Sequence, residues 1–136
     1  MRFMMLMIPN AYRGGKTDPN FRPDAEAVAA MTRFNQELSK AGILLALDGL
    51  HPPASGARVG FSAGKAKLLD GPFAEAKEVL GGYWMLQVKS RDEAIAWALR
   101  VPAADGDIVE VRQVFEMSEF PPDVQKAAGA ASKSEK

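Results

Sequence analysis

The sequence predicts an α+β sandwich: an antiparallel sheet with two helices on one face and an extra β-hairpin. Three observations predict it. Apolar strand-like runs and amphipathic helical stretches follow in the order strand, helix, strand, hairpin, strand, helix, strand. The two helical stretches carry their own start and stop signals. The first strand is apolar on both of its alternating faces, so both must be covered. At 136 residues, 47% hydrophobic and 25% charged, the chain has the size and composition of one globular domain.

In the first strand, Phe3, Met5 and Met7 share one face and Met4, Leu6 and Ile8 the other. Helices cover one face of a sheet in a domain of this size. A partner subunit is the simplest cover for the second, so a homodimer through the sheet face is expected. The opening Met-Arg-Phe-Met-Met-Leu-Met-Ile superficially looks like the start of a signal peptide. Pro9 ends it, no small-residue cleavage site follows, and Arg13 and Lys16 come next, so a cytoplasmic protein is expected. No apolar run approaches the roughly 20 residues that span a bilayer, and no membrane association is expected.

Asn10 to Pro23 reads as a long loop, with Gly14, Gly15, Pro19 and Pro23. Asn10 to Thr17 comes close to a phosphate-binding loop, but Asn10 stands where the first glycine belongs and Pro19 and Pro23 prevent a helix from starting at Lys16. Asp24 can cap a helix over about Ala25–Ala41, stopped by Gly42, with Ala27, Met31, Phe34, Leu38 and Ala41 as its apolar stripe. Ile43 to Leu50 is the second strand, ended by His51-Pro52-Pro53. Gly56–Phe61 and Lys65–Leu69 are the arms of a hairpin turning at Ser62-Ala63-Gly64, where Gly64 can take positive φ.

Asp70-Gly-Pro-Phe73 follows the hairpin directly, and Gly81-Gly82 precedes the next strand, Tyr83–Lys89. Ser90 and Glu93 form a capping box for a helix reaching about Val101, stopped by Pro102, whose buried face takes in Ala94, Ile95, Ala98 and Leu99. Asp107–Phe115 is the last strand. From Pro121 the Ala/Ser/Lys/Glu-rich segment has no apolar period. The domain is expected over residues 1–120, with 121–136 a largely disordered tail. This order of elements is that of a ferredoxin-like sandwich with extra short strands.

Composition excludes several chemistries. Seventeen basic against seventeen acidic residues leave no net field to attract a polyanion, so nucleic acid is not an expected partner. The chain has no cysteine and a single histidine, and its carboxylates do not cluster at ligand spacing, so no metal is expected. No nucleophile elbow or dinucleotide fingerprint occurs, and no cofactor is expected.

The candidate site residues are polar groups at strand ends. Asp70, with Phe73 beside it, either lines a cleft as a base or orienting group or bonds the amides of its own turn. His51 is the side chain suited to moving protons at neutral pH, and Asp48, three positions before it, can orient it. The alternative is a surface residue at a strand end. Glu110 and Arg112 share the face away from the helices, where charges must be paired, either by a ligand or across an interface. Glu75 and Lys77 are spaced for one side of an extended segment. Tyr83 and Trp84 point to opposite faces, and Tyr83, whose hydroxyl needs a polar partner, is the ligand-side choice.

Asp70, Gly71, Pro72, Phe73, Glu75, Lys77, Glu78, Leu80, Gly81 and Gly82 stand in register with the DGPF signature of the YCII-related proteins, and the resemblance covers most of Arg2 to Phe115. It implies a dimeric α+β barrel in which two sheets meet face to face, an architecture shared with isomerases and monooxygenases acting on small hydrophobic substrates. It also implies a catalytic pair of a first-helix histidine with an aspartate. Asp48 matches the aspartate, but the stretch from Asp24 to Ala41 holds no histidine. The expected function is therefore a homodimer that binds a small organic ligand, with isomerase- or lyase-like acid/base chemistry. In that scheme Asp70 is the base, Arg112 the anchor for an anionic group and His51 a shuttle. The alternative the resemblance implies is a non-catalytic regulatory module linked to extracytoplasmic-function sigma factors.

Overall fold

A computed structural model describes residues 1–15, 22–70 and 78–134. Its strands are β1 (Arg2–Ile8), β2 (Leu44–Gly49), β3 (Ala57–Ser62), β4 (Lys65–Asp70), β5 (Gly82–Gln87) and β6 (Ile108–Gln113). The helices are α1 (Ala25–Lys40), α2 (Arg91–Ala98) and α3 (Pro122–Ser134), with short 3-10 turns at Asn10–Gly15, Pro53–Ser55 and Met117–Glu119. Four strands form an antiparallel sheet in the order β2-β5-β1-β6, and β3 and β4 pair separately as a hairpin. With the hairpin set aside, this is the ferredoxin-like α+β arrangement: two strand-helix-strand units whose first strands, β1 and β5, lie at the centre.

Strand register sets the two faces. Phe3, Met5 and Met7 of β1 align with Leu86, Trp84 and Gly82 of β5 and with Gln113, Val111 and Val109 of β6. This face carries the core, in which Phe3, Met5, Trp84 and Leu86 pack with Phe34 and Leu38 of α1 and Ala94 of α2. Phe34 meets Trp84 and Trp97 edge-on, with ring centroids 6.0 and 6.3 Å apart. Both α1 and α2 therefore lie on one side of the sheet.

Local chemistry explains most element ends. The Ser90 hydroxyl accepts from the Glu93 amide at 3.1 Å, while the Glu93 carboxylate accepts from the Lys89 amide at 2.9 Å, one residue earlier than a standard box. Gly42 ends α1 at φ +73°. The hairpin turns through Ala63 and Gly64, both with positive φ, the pairing a two-residue hairpin loop requires.

Two expectations need correction. Asp24 sits at the start of α1, but its side chain caps no amide there. Leu99 is 82% exposed: it keeps helical backbone and bonds Ile95 O, but it lies about 100° around the helix from Ala98, off the buried side. The segment after Pro121 enters the helix α3, with Pro122 at its first position and the amides of Val124 and Gln125 bonding Pro121 O, both at 3.0 Å. Alanine-rich composition favours a helix without any apolar period. In α1, Phe34 and Leu38 are buried and Met31 is partly buried, whereas Ala27 and Ala41 at the ends of the stripe are exposed.

Candidate functional site

The corner of the sheet where β2 ends and β5 begins is held by close backbone contacts. Leu50 N donates to Gly81 O at 2.9 Å, and Gly81 N donates to Met7 O at 2.8 Å. A Cβ on Gly81 would lie 2.6 Å from Pro9 Cγ, and one on Gly82 would lie 2.9 Å from Asp48 O. The Gly81-Gly82 pair is thus required by the approach of β1, β2 and β5, and neither residue has a positive φ.

Above this corner, on the helix side, α1 leaves a cleft of about 220 Å³. Met31 and Asn35, one helical turn apart, form its roof; Met7, Leu47 and Trp84 form its floor; Gly49, Gly81, Gly82, Asp48 and Tyr83 complete the lining, the last two with their side chains on the opposite face of the sheet. Trp84 is buried, and its indole Nε1 donates to Asn35 Oδ1 at 2.8 Å. Asn35 thereby satisfies the one polar atom that Trp84 brings into the core.

Asp48 and Tyr83 are cross-strand neighbours, and the Tyr83 hydroxyl donates to Asp48 Oδ2 at 2.9 Å. That bond, with the negative charge of Asp48, raises the Tyr83 pKa above its ordinary 10.0, since losing the proton would set two anions side by side. One carboxylate oxygen is committed to the tyrosine, and the pair fixes the orientation of the other. The pair belongs to a row across the face away from the helices, running Asp48, Tyr83, Leu6, Glu110. The next row runs Ala46, Met85, Met4, Arg112. That face is apolar at its centre and polar at both edges.

The remaining candidate residues are scattered. Arg112 Nη1 donates to Glu110 Oε2 at 3.3 Å on an exposed edge, a surface pair of the kind that contributes about 0–1 kcal/mol. With strands about 4.8 Å apart, Arg112 on β6 stands at least 14 Å or so from Asp48 on β2, so one small ligand does not reach both within a chain. His51 is exposed beyond the end of β2, and among the described residues the partner of the Asp48 carboxylate is Tyr83, not His51. Asp70 closes β4 opposite Ala57. Its side chain and all of Phe73, Glu75 and Lys77 lie outside the described residues.

Sequence reasoning missed Asn35. The signal was a polar residue four positions after Met31 and three before Leu38, inside the apolar stripe of α1, where a side-chain partner has to exist.

The pattern of the YCII-related domain matches residues 1–118. The chain belongs to the YCII-related domain family. A relative, an uncharacterized protein of Rhizobium meliloti (strain 1021), is 33% identical over 75 residues, a stretch covering 55% of this chain and 60% of the relative. In this YCII-related domain the cleft, the paired glycines and the Asp48–Tyr83 pair all fall within the matched residues. No described helix is long and apolar enough to cross a membrane, and no three His, Asp or Glu side chains among the described residues gather as a metal site.

Proposed function

We propose that this YCII-related domain is a homodimer that binds a small organic molecule in the cleft between α1 and the β2/β5 corner, with the Asn35 side-chain amide as its polar contact. The observation that carries the reading is the Asn35 amide, held by Trp84, in the roof of an otherwise apolar cleft.

Size narrows the ligand. A cavity of about 150 Å³ accepts benzene, and pockets for drug-sized molecules begin near 300 Å³. A cleft of 220 Å³ suits one ring or a short branched chain. Asn35, held by Trp84 through Oδ1, keeps an amide NH₂ for a ligand oxygen. Dimerisation is supported by the uncovered face, where Met4, Leu6 and Met85 lie between the polar edges. A second sheet laid on it removes these side chains from water.

The test is a ligand-observed NMR screen of single-ring and short-chain carbonyl compounds. The reading predicts binding by the wild type that weakens by about tenfold in Asn35→Ala and is unchanged in Asp48→Asn, whose side chain lies on the other face. Asp70→Ala, assayed alongside, reports whether the neighbouring turn takes part. Equal affinity in wild type and Asn35→Ala, or loss of binding in Asp48→Asn, contradicts the placement of the ligand in the cleft.

A further inference from the structure

We propose that the β3–β4 hairpin of one copy docks on the C-terminal corner of a second copy, seating Phe61 in the cavity beside that copy's Phe115. The inference rests on the homodimer reading and adds the part of the chain that grips the partner.

The hairpin is amphipathic, and no described element covers its apolar face. Its register pairs Val59 with Leu68 and Phe61 with Ala66, so these apolar residues share one face, while Lys65 and Lys67 belong to the other. Phe61 is 79% exposed, and Val59 and Leu68 are exposed beside it. A two-stranded hairpin is marginally stable alone and needs a surface for its apolar face. A lipid surface would call for apolar and basic groups on the side that meets it. Here the lysines lie opposite the apolar face, which suits a protein surface with the charges left at the rim.

The same chain carries a matching surface. Phe115, 72% exposed, stacks on Phe120 with centroids 5.2 Å apart, and Met117 is exposed next to them. A cavity of about 200 Å³ opens between Gln113, Val114, Phe115 and Glu119, which is room for one phenyl ring. The charges are complementary. The hairpin carries three basic residues against Asp70, and the receiving corner, residues 113–126, carries Glu116, Glu119 and Asp123 against Lys126, so the two net charges are opposite in sign.

Topology keeps the two surfaces apart within a copy and joins them between copies. The hairpin leaves the sheet after Gly49 and returns before Gly82, opposite Met7, at the β2 side of one end. The receiving corner follows Gln113, opposite Phe3, at the β6 side of the other end. These are diagonal corners of the sheet. A twofold axis lying between two face-to-face sheets, diagonal to the strands, carries each corner onto the other and crosses the strands near 90°, a standard way for sheets to pack. Each hairpin contact then occurs twice.

The absence of cysteine makes a clean cross-linking test. Differently tagged Phe61→Cys and Glu119→Cys proteins, each checked for native circular dichroism, are mixed and treated with a short bis-maleimide. The expected main product is the covalent pair containing one of each, above either variant alone. Sedimentation equilibrium should show Phe61→Ser weakening the dimer by roughly tenfold or more. A stable dimer without the mixed cross-link and indifferent to Phe61→Ser overturns this docking while leaving the dimer reading intact. A wild type that is monomeric at all concentrations overturns both.

Discussion

Gly49 and Gly82 face each other on one rung of the β2–β5 ladder, yet alanine at the two positions should act in opposite directions. At Gly82 the new methyl group lies 2.9 Å from Asp48 O and 3.4 Å from Gly49 Cα. Both are backbone atoms, so β2 must move away by several tenths of an ångström. Overpacking of that kind costs about 1–3 kcal/mol. Alanine recovers about 0.5–1 kcal/mol of the entropy that glycine loses in a strand, which leaves a net loss of about 1–2 kcal/mol. At Gly49 the nearest atom is Gly81 O at 4.0 Å, an ordinary contact. Gly49→Ala should therefore be neutral or stabilise by up to about 1 kcal/mol. Urea denaturation followed by far-ultraviolet circular dichroism reads both. A Gly82→Ala protein as stable as the wild type, or a Gly49→Ala protein that loses as much as Gly82→Ala, refutes the close-approach explanation of the glycine pair.

Two further outcomes follow from the same corner. Asn35→Ala leaves the buried Trp84 indole N–H without its acceptor and should cost about 1–3 kcal/mol in urea denaturation, and an unchanged midpoint would show that the bond is not made in solution. Tyr83 titrates above its ordinary 10.0 because it donates to Asp48, so the stabilisation from the pair is complete below about pH 10 and is lost as pH rises through the higher folded value. Tyr12 is also raised, by burial, so the measurement belongs in a Tyr12→Phe background. There Asp48→Asn should bring the phenol titration, followed by ultraviolet absorbance, back towards 10; a titration indifferent to Asp48 would contradict the pairing.

The fold was legible because each element announced itself locally. The doubly apolar β1, the Ser90/Glu93 box and the Gly64 turn are short-range signals, and the register follows once the alternating faces are assigned. What stayed hidden depended on distances between elements. The Gly81-Gly82 pair reads as turn chemistry, yet its cause is a backbone crossing from β2 and β1 that no local pattern reveals. Leu99 looked buried because the apolar stripe was drawn too wide: its backbone is still helical, but its position around α2 is off the side that Ala94 buries. The α3 helix was invisible to an argument from apolar period, since alanine forms helices on propensity alone.

The candidate site divides the same way. Tyr83 was separated from Trp84 by strand alternation, and Asp48 was picked out as an acidic residue in an apolar strand. Their mutual bond depends on the β2–β5 register, which the sequence does not state. Proximity in sequence suggested Asp48 with His51, whereas the strand carries Asp48 to a partner 35 residues away.

The most direct test of the central claim is an ¹H–¹⁵N NMR titration of the full chain with the single-ring compounds that bind it. The account predicts that the Trp84 indole N–H, the Asn35 side-chain amide and the Gly82 amide shift together and saturate with one affinity. Saturable binding that leaves those three signals unmoved would place the ligand elsewhere and contradict the cleft as the functional site.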